Sequence, residues 1–323
     1  MSIGVVQLQH ASSTRKLPLL RLPPRGQKWP PRKRMGSLGP DNQLGMLNLL
    51  TDEAVQRAAA ENIKTGKRVS LNWLMTAASY PRFPRKPIEL RLINKAPLKH
   101  AHDDEWTFNS QCSSQWDGFR HYAFQKEEVY LPDVAQQGIT GRAILIDWYT
   151  WAQTQNKSID ATSAYEIPFT ELLETLKYQN MEPTSTFRRG DILVIRSGYI
   201  AQYTEMSDSK RAHLNEAYKT EKPANIGVKP SEELLQFLWD TGIAAVCGDS
   251  RSFEVWPCKA EDEEWHLHEW LLAGWGMPIG ELFDLEELAR VCNELGRYTF
   301  FMASEPVNVP GAVACPPNAL AFF

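Results

Sequence analysis

The chain has 323 residues, 43% of them hydrophobic and 23% charged, and a formal net charge of −4. It is long enough to bury a sizeable core, and its weak negative charge gives no electrostatic basis for nucleic-acid binding. No apolar run approaches the roughly twenty residues that a membrane-spanning helix needs. The five cysteines include no CxxC pair and the N-terminus lacks a continuous apolar stretch, so we predict a cytoplasmic protein.

The predicted organisation is an arm followed by one domain. Residues 1–35 are rich in Pro, Arg and Lys and show no sustained periodicity, which predicts an extended N-terminal arm. A single domain is predicted over residues 36–323. It begins with turn residues at 39–42 and a helix over 54–63, for which Thr51 is a suitable N-cap.

Along the domain, strands and helices of mixed length alternate. β-Branched and alternating residues predict strands over 68–74 and 88–95. Apolar runs predict buried strands, and helical spacing or capping residues predict helices. The buried strands are 138–147, 189–198, 242–249 and 298–303, and the helices are 167–179, 210–222, 231–240 and 283–297. This alternation indicates an α/β fold.

Residues 109–124 concentrate polar groups between aromatic residues. Gln111, Gln115 and Asp117 lie on one face if the segment is extended, because strand side chains alternate with period two. Burying such a row is costly unless each group has a partner. A surface loop is the simplest alternative. The flanking aromatic residues, Trp116, Phe119, Tyr122 and Phe124, argue against full exposure.

A second polar stretch runs from 265 to 281. His266 and His268 can meet one ion if they lie on a strand, where alternate side chains share a face. A lone buried His, however, is more often a satisfied core residue than a ligand. His100 and His102 have the same spacing, but an exposed polar loop is the favoured interpretation there.

The central segment resembles the HxGTHxDxPxH signature of the cyclase family that contains bacterial kynurenine formamidase and isatin hydrolase. Asp117 and His121 occupy the Asp and last His positions, whereas Gln111 and Gln115 stand at two His positions. Further segments resemble the family in order: GPDNQLGMLN, GRAILID, RGDILVIRSGY, AAVCGDSRSFEVWP and GAVACPPNALAF. The resemblance implies a kynurenine formamidase-like sandwich, in which a mixed sheet packs against helices and a second, smaller sheet carries the central motif.

The resemblance also implies the site. His121, Asp117, His268 and Glu281 are the implied catalytic residues, and Asp117, His268 and Glu281 would be ligands if a metal is retained. A carboxamide oxygen is a weaker zinc ligand than an imidazole, so we expect no metal or one divalent ion (Mn, Mg or Zn) and weak zinc binding. The candidate substrate-binding residues are Gln111, Gln115, Trp116, Asn48, Arg196 and Asp249. Arg196 and Asp249 end apolar strands, where an internal ion pair is the alternative.

The sequence is compatible with three functions. The first is a hydrolase of an amide, aryl-formamide or lactone with His121 as general acid or base. The second is a metal-independent cyclase, lyase or isomerase acting on an aromatic or polyketide-like metabolite. The third is a non-catalytic binding protein. The eleven tryptophans favour an aromatic small-molecule ligand in each case, and the resemblance implies a homo-oligomer.

Overall fold

The structure is a computed structural model that describes residues 44–78, 83, 85–122, 137–217, 220–307 and 309–323. The predicted arm at 1–35 and the turn at 39–42 lie outside the described residues. Phe124, at the end of the central segment, lies outside them as well.

The described residues contain thirteen strands: β1 (Arg68–Ser70), β2 (Glu89–Asn94), β3 (His102–Thr107), β4 (Gln115–Asp117), β5 (Ile139–Ile146), β6 (Glu166–Ile167), β7 (Ile192–Ile195), β8 (Gly227–Val228), β9 (Ala245–Gly248), β10 (Ile279–Glu281), β11 (Thr299–Ser304), β12 (Ala314–Cys315) and β13 (Ala319–Phe322). Nine of them form one mixed sheet in the order β1-β13-β11-β5-β7-β9-β10-β4-β12. Two small sheets pair β2 with β3 and β6 with β8.

The centre of the large sheet is a parallel block of β5, β7, β9 and β10, with antiparallel strands on either side. Its apolar runs alternate between two cores. Leu193, Ile195 and Val246 pack into one core, and Val194 and Cys247 pack into the other. Parallel strands that are covered on both faces have continuous apolar sequences. The sequence predicts these strands for that reason. The mixed α/β fold with a large sheet and smaller second sheet is confirmed.

Helices cover the sheet: α1 (Asp52–Asn62), α2 (Trp148–Thr154), α3 (Phe169–Tyr178), α4 (Pro183–Thr186), α5 (Tyr199–Glu205), α6 (Asp208–Ala217), α7 (Glu232–Thr241) and α8 (Glu286–Leu295). The predicted N-cap is confirmed, since the hydroxyl of Thr51 accepts a hydrogen bond from the amide of Ala54. The hydroxyl of Ser231 caps α7 in the same way, accepting from the amide of Leu234. Short 3₁₀ segments span Gly45–Leu49 and Ala260–Trp265, and a π-helical segment spans Glu269–Trp275.

Two details differ from the predictions. The central motif does not lie in the smaller sheet, because β4 joins the large sheet between β10 and β12. A strand of three residues gains little from pairing in isolation, whereas this position buries all three of its side chains. His102 begins β3 of the exposed β2–β3 ribbon rather than lying in a loop.

Backbone contact between two glycines joins the first described segment to the π-helical segment. Gly45 and Gly276 both have positive φ, and a Cβ on Gly45 would lie 2.4 Å from the Gly276 Cα. The amide of Met46 donates a 3.0 Å hydrogen bond to the Gly276 carbonyl. Larger residues cannot replace this pair without moving the segment that His268 precedes.

Candidate active site

The central motif and the second polar stretch meet where β4 and β10 pair. Their antiparallel register sets Gln115 opposite Glu281. The Gln115 amide nitrogen donates a 2.6 Å hydrogen bond to the Glu281 carboxylate. His268, at the N-terminal end of the π-helical segment, places its Nε2 3.2 Å from Oε1 of Glu281. Two segments separated by more than 140 residues in sequence therefore contribute to one buried cluster.

Asp117 lies at the centre of this cluster and is fully buried. Its Oδ1 accepts a 2.8 Å hydrogen bond from the Gln111 amide nitrogen. Its Oδ2 has no hydrogen-bond partner among the described residues. That oxygen lies 3.6 Å from Nε2 of His121 and 3.8 Å from Nε2 of His268. One carboxylate oxygen thus faces two imidazole nitrogens.

Glu254 holds the other side of His268. Its Oε1 lies 2.5 Å from His268 Nδ1 and accepts from the His268 amide at 2.9 Å. Its Oε2 accepts from the Leu267 amide at 2.7 Å. Because Glu254 is fully buried and bonded three times, it fixes the backbone and the ring of His268 together.

The two central carboxyl groups differ in acidity. Burial, together with the nearby charge of Asp117, raises the pKa of Glu281 to about 7. Burial alone would raise the pKa of Asp117 too, but His121 and His268 outweigh it and hold that pKa below its usual value. Near neutral pH, Asp117 is therefore ionised while Glu281 is close to half-protonated.

The histidines also differ. Burial lowers the pKa of His121, against the opposing effect of Asp117, so His121 is neutral near pH 7. Burial would lower the pKa of His268 as well, but the neighbouring carboxylates of Asp117, Glu254 and Glu281 raise it well above its usual value. The cluster thus contains a neutral imidazole beside a charged one, an arrangement suited to acid–base chemistry.

The donor set of this cluster fits a divalent cation. Oδ2 of Asp117 and one ring nitrogen each of His121 and His268 lie within 4.8 Å of one another. The contact from His268 Nδ1 to Glu254 matches the carboxylate–histidine arrangement found behind metal ligands. Ligand atoms of Glu254, His266 and His268 also lie within 4.8 Å of one another. The Glu254 oxygens, however, already accept three hydrogen bonds, so this group is less suited to a cation.

Four predicted substrate-binding residues make other contacts. Trp116 points to the opposite face of β4, where its indole donates to Ser304 and packs edge-on against Phe283. The exposed Asn48 donates to the carbonyl of Gly45 in its own turn. Arg196 bonds to Asp147 and Glu286, and Asp249 accepts from Ser197 and Gly198. These contacts order the fold, and they give no support to substrate binding by the four residues.

Sequence reasoning missed Glu254 and an aromatic group. Glu254 lies within a segment that resembles the family. In that segment the sequence indicates only Asp249, the carboxylate at the end of a strand, as a site residue. The ring of Tyr122 stacks on His266 with centroids 5.1 Å apart and lies 5.5 Å from the ring of His268. No periodicity marks these positions, so only the density of aromatic residues in the central motif indicated them.

The fold and the cluster together define an α/β protein with buried ionisable side chains at the end of its sheet. A family model described as Putative cyclase matches residues 42–255. Because this match spans more than half of the sequence, the chain belongs to that family. The predicted resemblance is confirmed. The matched region includes the central motif and Glu254, whereas His268 and Glu281 lie beyond it.

Solved structures agree with this assignment. A novel cyclase is 26% identical and aligns over 90% of this chain and 99% of its own, with a TM-score of 0.73. Isatin hydrolase A from Ralstonia solanacearum is 11% identical and aligns over 79% and 91%, with a TM-score of 0.57. At that identity the likeness shows a shared fold. No protein of curated function matches the sequence. Within the described part of the chain, no helix has the length and apolarity to cross a membrane.

Proposed function

We propose that this protein hydrolyses a small molecule, opening an amide, aryl-formamide or lactone bond, with His121 transferring protons. The observation that carries the proposal is the unpartnered Oδ2 of Asp117, which faces His121 and His268 inside the buried cluster. A carboxylate and a neutral imidazole 3.6 Å apart can both contact one attacking water molecule.

The directions of the pKa shifts support the proposed proton-transfer roles. His121 has a lowered pKa and is neutral near pH 7, so its ring can accept the proton of the water molecule. Glu281, with its pKa raised to about 7, can give a proton to the leaving nitrogen or oxygen. The hydrolysis requires one group that accepts a proton and another that donates one, and His121 and Glu281 can fill these two roles.

His268 supplies fixed positive charge. Glu254 orients its ring through Nδ1, and Nε2 is directed towards Asp117 and Glu281. A charged donor held in this way can stabilise negative charge on a carbonyl oxygen. If a divalent ion is bound, Asp117 and His268 would hold it beside His121, and it would polarise the substrate carbonyl and the attacking water.

The family and its structural neighbours support a class of substrate. An isatin hydrolase bound to the product analogue thioisatinate shares the fold at 10% identity, with a TM-score of 0.58. Together with Tyr122 beside the histidines, this supports an aromatic amide or lactone as the substrate. The homo-oligomer and the cytoplasmic location stay predictions.

A second function has an observation in its favour. Gln111 and Gln115 donate directly to Asp117 and Glu281, so both carboxylates have neutral hydrogen-bond donors in addition to the histidines. Such an array can move protons without a cation, as a lyase, isomerase or cyclase requires. Turnover that is unaffected by a chelator, with no water incorporated into the product, would favour this function.

His121→Ala tests the proposal. Once a substrate is found by screening aromatic amides and lactones, turnover should fall about 10²- to 10⁴-fold, because a general acid–base group is lost. The thermal midpoint should change little, since the His121 side chain is 22% exposed. His213→Ala, an exposed change in α6, is the matched control. Near-normal turnover in a folded His121→Ala protein would contradict the role of His121.

A further inference from the structure

Arg251 is a buried cation that the proposed reaction does not use. Its side chain follows β9, and the residue is only 4% exposed. Its Nε donates to the hydroxyl of Tyr199, and its guanidinium lies over the rings of Tyr199 and Tyr203, 5.3 and 5.9 Å from their centroids. The two aromatic rings hold the guanidinium in place without neutralising it.

Among the described residues, the guanidinium of Arg251 has no anionic partner. Its buried Nη2 has no hydrogen-bond partner in this part of the chain, and no described carboxylate lies within ion-pair distance of it. A buried charge is normally paired, because an unpaired one forfeits its hydration without compensation. Arg196 shows the ordinary arrangement, since it is bonded to both Asp147 and Glu286. The environment of Arg251 is therefore that of a ligand-binding arginine.

Arg85 carries a second guanidinium, which contacts the segment that holds Asp117. Arg85 is half-buried and donates one 3.1 Å hydrogen bond, to the carbonyl of Gln111, while its guanidinium stacks over Phe83. Burial lowers its pKa, and the charge of Arg251 lowers it further, whereas Glu281 and Asp117 act in the opposite direction. The charge of Arg85 is thus influenced both by Arg251 and by the two central carboxylates.

Backbone contacts tie both arginines to the catalytic carboxylates. The residue before Arg251, Ser250, accepts a 3.0 Å hydrogen bond from the amide of Leu282, which follows Glu281. Arg85 bonds to Gln111, whose side chain holds Asp117. Among the described residues, neither carboxylate forms an ion pair with these arginines: Asp117 is bonded to Gln111, and Glu281 is bonded to Gln115 and His268.

We propose that Arg251 and Arg85 form a binding site for a carboxylate group carried by the substrate. A guanidinium presents parallel N–H donors that match the two oxygens of a carboxylate, and two such groups can hold it from two sides. Arg85 is the more accessible of the two. The inference rests on the proposed function only in naming the bound molecule as the substrate.

Binding of matched probes tests this site without turnover. Benzoate and the uncharged benzamide have the same shape, so calorimetric titration of the full chain at pH 7 isolates the charge. Benzoate should bind at least about tenfold more tightly, because charge-assisted hydrogen bonds to buried donors contribute this much. Equal affinities would overturn the inference. Displacement of benzoate by inorganic phosphate at equal concentration would identify a general anion site and overturn it too.

Substitutions locate the site. Arg251→Gln and Arg85→Gln should each weaken benzoate binding roughly tenfold to a hundredfold and leave benzamide binding unchanged. Arg290→Gln, an exposed change on α8, is the control. If Arg251→Gln does not fold, the Arg85→Gln variant is the test, because Arg85 is only half-buried. Unchanged benzoate affinity in a folded Arg85→Gln protein refutes the site. A chain that hydrolyses only uncharged substrates without binding benzoate would retain the proposed function and lose this inference.

Discussion

Replacement of Glu254 by Gln should destabilise the protein more than any surface carboxylate change. Glu254 accepts hydrogen bonds from the amides of Leu267 and His268 and contacts the His268 ring at 2.5 Å. Glutamine has the same shape but only one acceptor oxygen. Its amide nitrogen must therefore face at least one of these donors, which loses a bond and creates a repulsive contact.

The size of the effect follows from those contacts. A buried N–H left without an acceptor costs about 1–3 kcal/mol, and a lost hydrogen bond to a charged group costs about as much. Removing one partner of a buried ion pair leaves an uncompensated charge, for which measured losses are about 3–5 kcal/mol. We therefore expect the free energy of unfolding to fall by about 3–5 kcal/mol near pH 6.

The loss should depend on pH. The pKa of His268 is raised, so its contribution to stability is present below its unfolded pKa of about 6.5 and is lost as pH rises through the folded value. The pKa of Glu254 is lowered, so its contribution is present above about pH 4.3 and is lost as pH falls through the folded value. The penalty is thus largest between about pH 4.5 and 6.5.

Urea unfolding at pH 5.5, 7 and 9, on protein dialysed against a chelator, measures this loss. Glu233→Gln, an exposed change in the first turn of α7, is the matched control and should shift stability by less than about 0.5 kcal/mol. A penalty for Glu254→Gln below about 1 kcal/mol at pH 5.5, or one that does not shrink at pH 9, would refute the reasoning.

Two further predictions concern the metal and the second carboxylate. Gln111→His combined with Gln115→His should raise zinc affinity above that of the unchanged chain, since imidazole is the better donor; competition with a chromogenic chelator measures it, and unchanged affinity would contradict it. The pKa of Glu281 is raised to about 7, so its native state holds a proton that the unfolded state releases above about pH 4.3. The unchanged chain should lose up to about 3 kcal/mol relative to Glu281→Gln between pH 4.5 and 8, and a pH-independent difference in urea midpoint would exclude this.

The central strands could be predicted because their burial is uniform. Residues 139–146, 192–195 and 245–248 are apolar runs, and the structure covers both faces of each. The position of β4 could not be predicted in the same way. Its three residues are two polar side chains around a tryptophan, and its partner β10 follows more than 150 residues later. No local pattern encodes that pairing.

The site residues likewise include some that the sequence indicated and one that it did not. The central motif indicated Asp117 and His121 by their spacing, and the family resemblance added His268 and Glu281, which the structure brings into one cluster. Neither its spacing nor a matched motif position marked Glu254 as a site residue. A carboxylate in a loop becomes a partner of His268 only because the chain at Leu267 directs two amides onto it, and this depends on tertiary packing.

The two glutamines explain why protons and cations compete for this cluster. Burial and the charge of Asp117 raise the pKa of Glu281 to about 7, so Glu281 can retain a proton near neutral pH although Gln115 donates to it. The pKa of His268, which lies between Glu254 and Glu281, is raised as well. A cation at Asp117 and His268 requires the unprotonated Nε2 of His268, so its binding must release that proton. With imidazoles in place of the glutamines, two more nitrogen donors would offset this cost. With amides, the site favours the protonated state unless a ligand neutralises the charge.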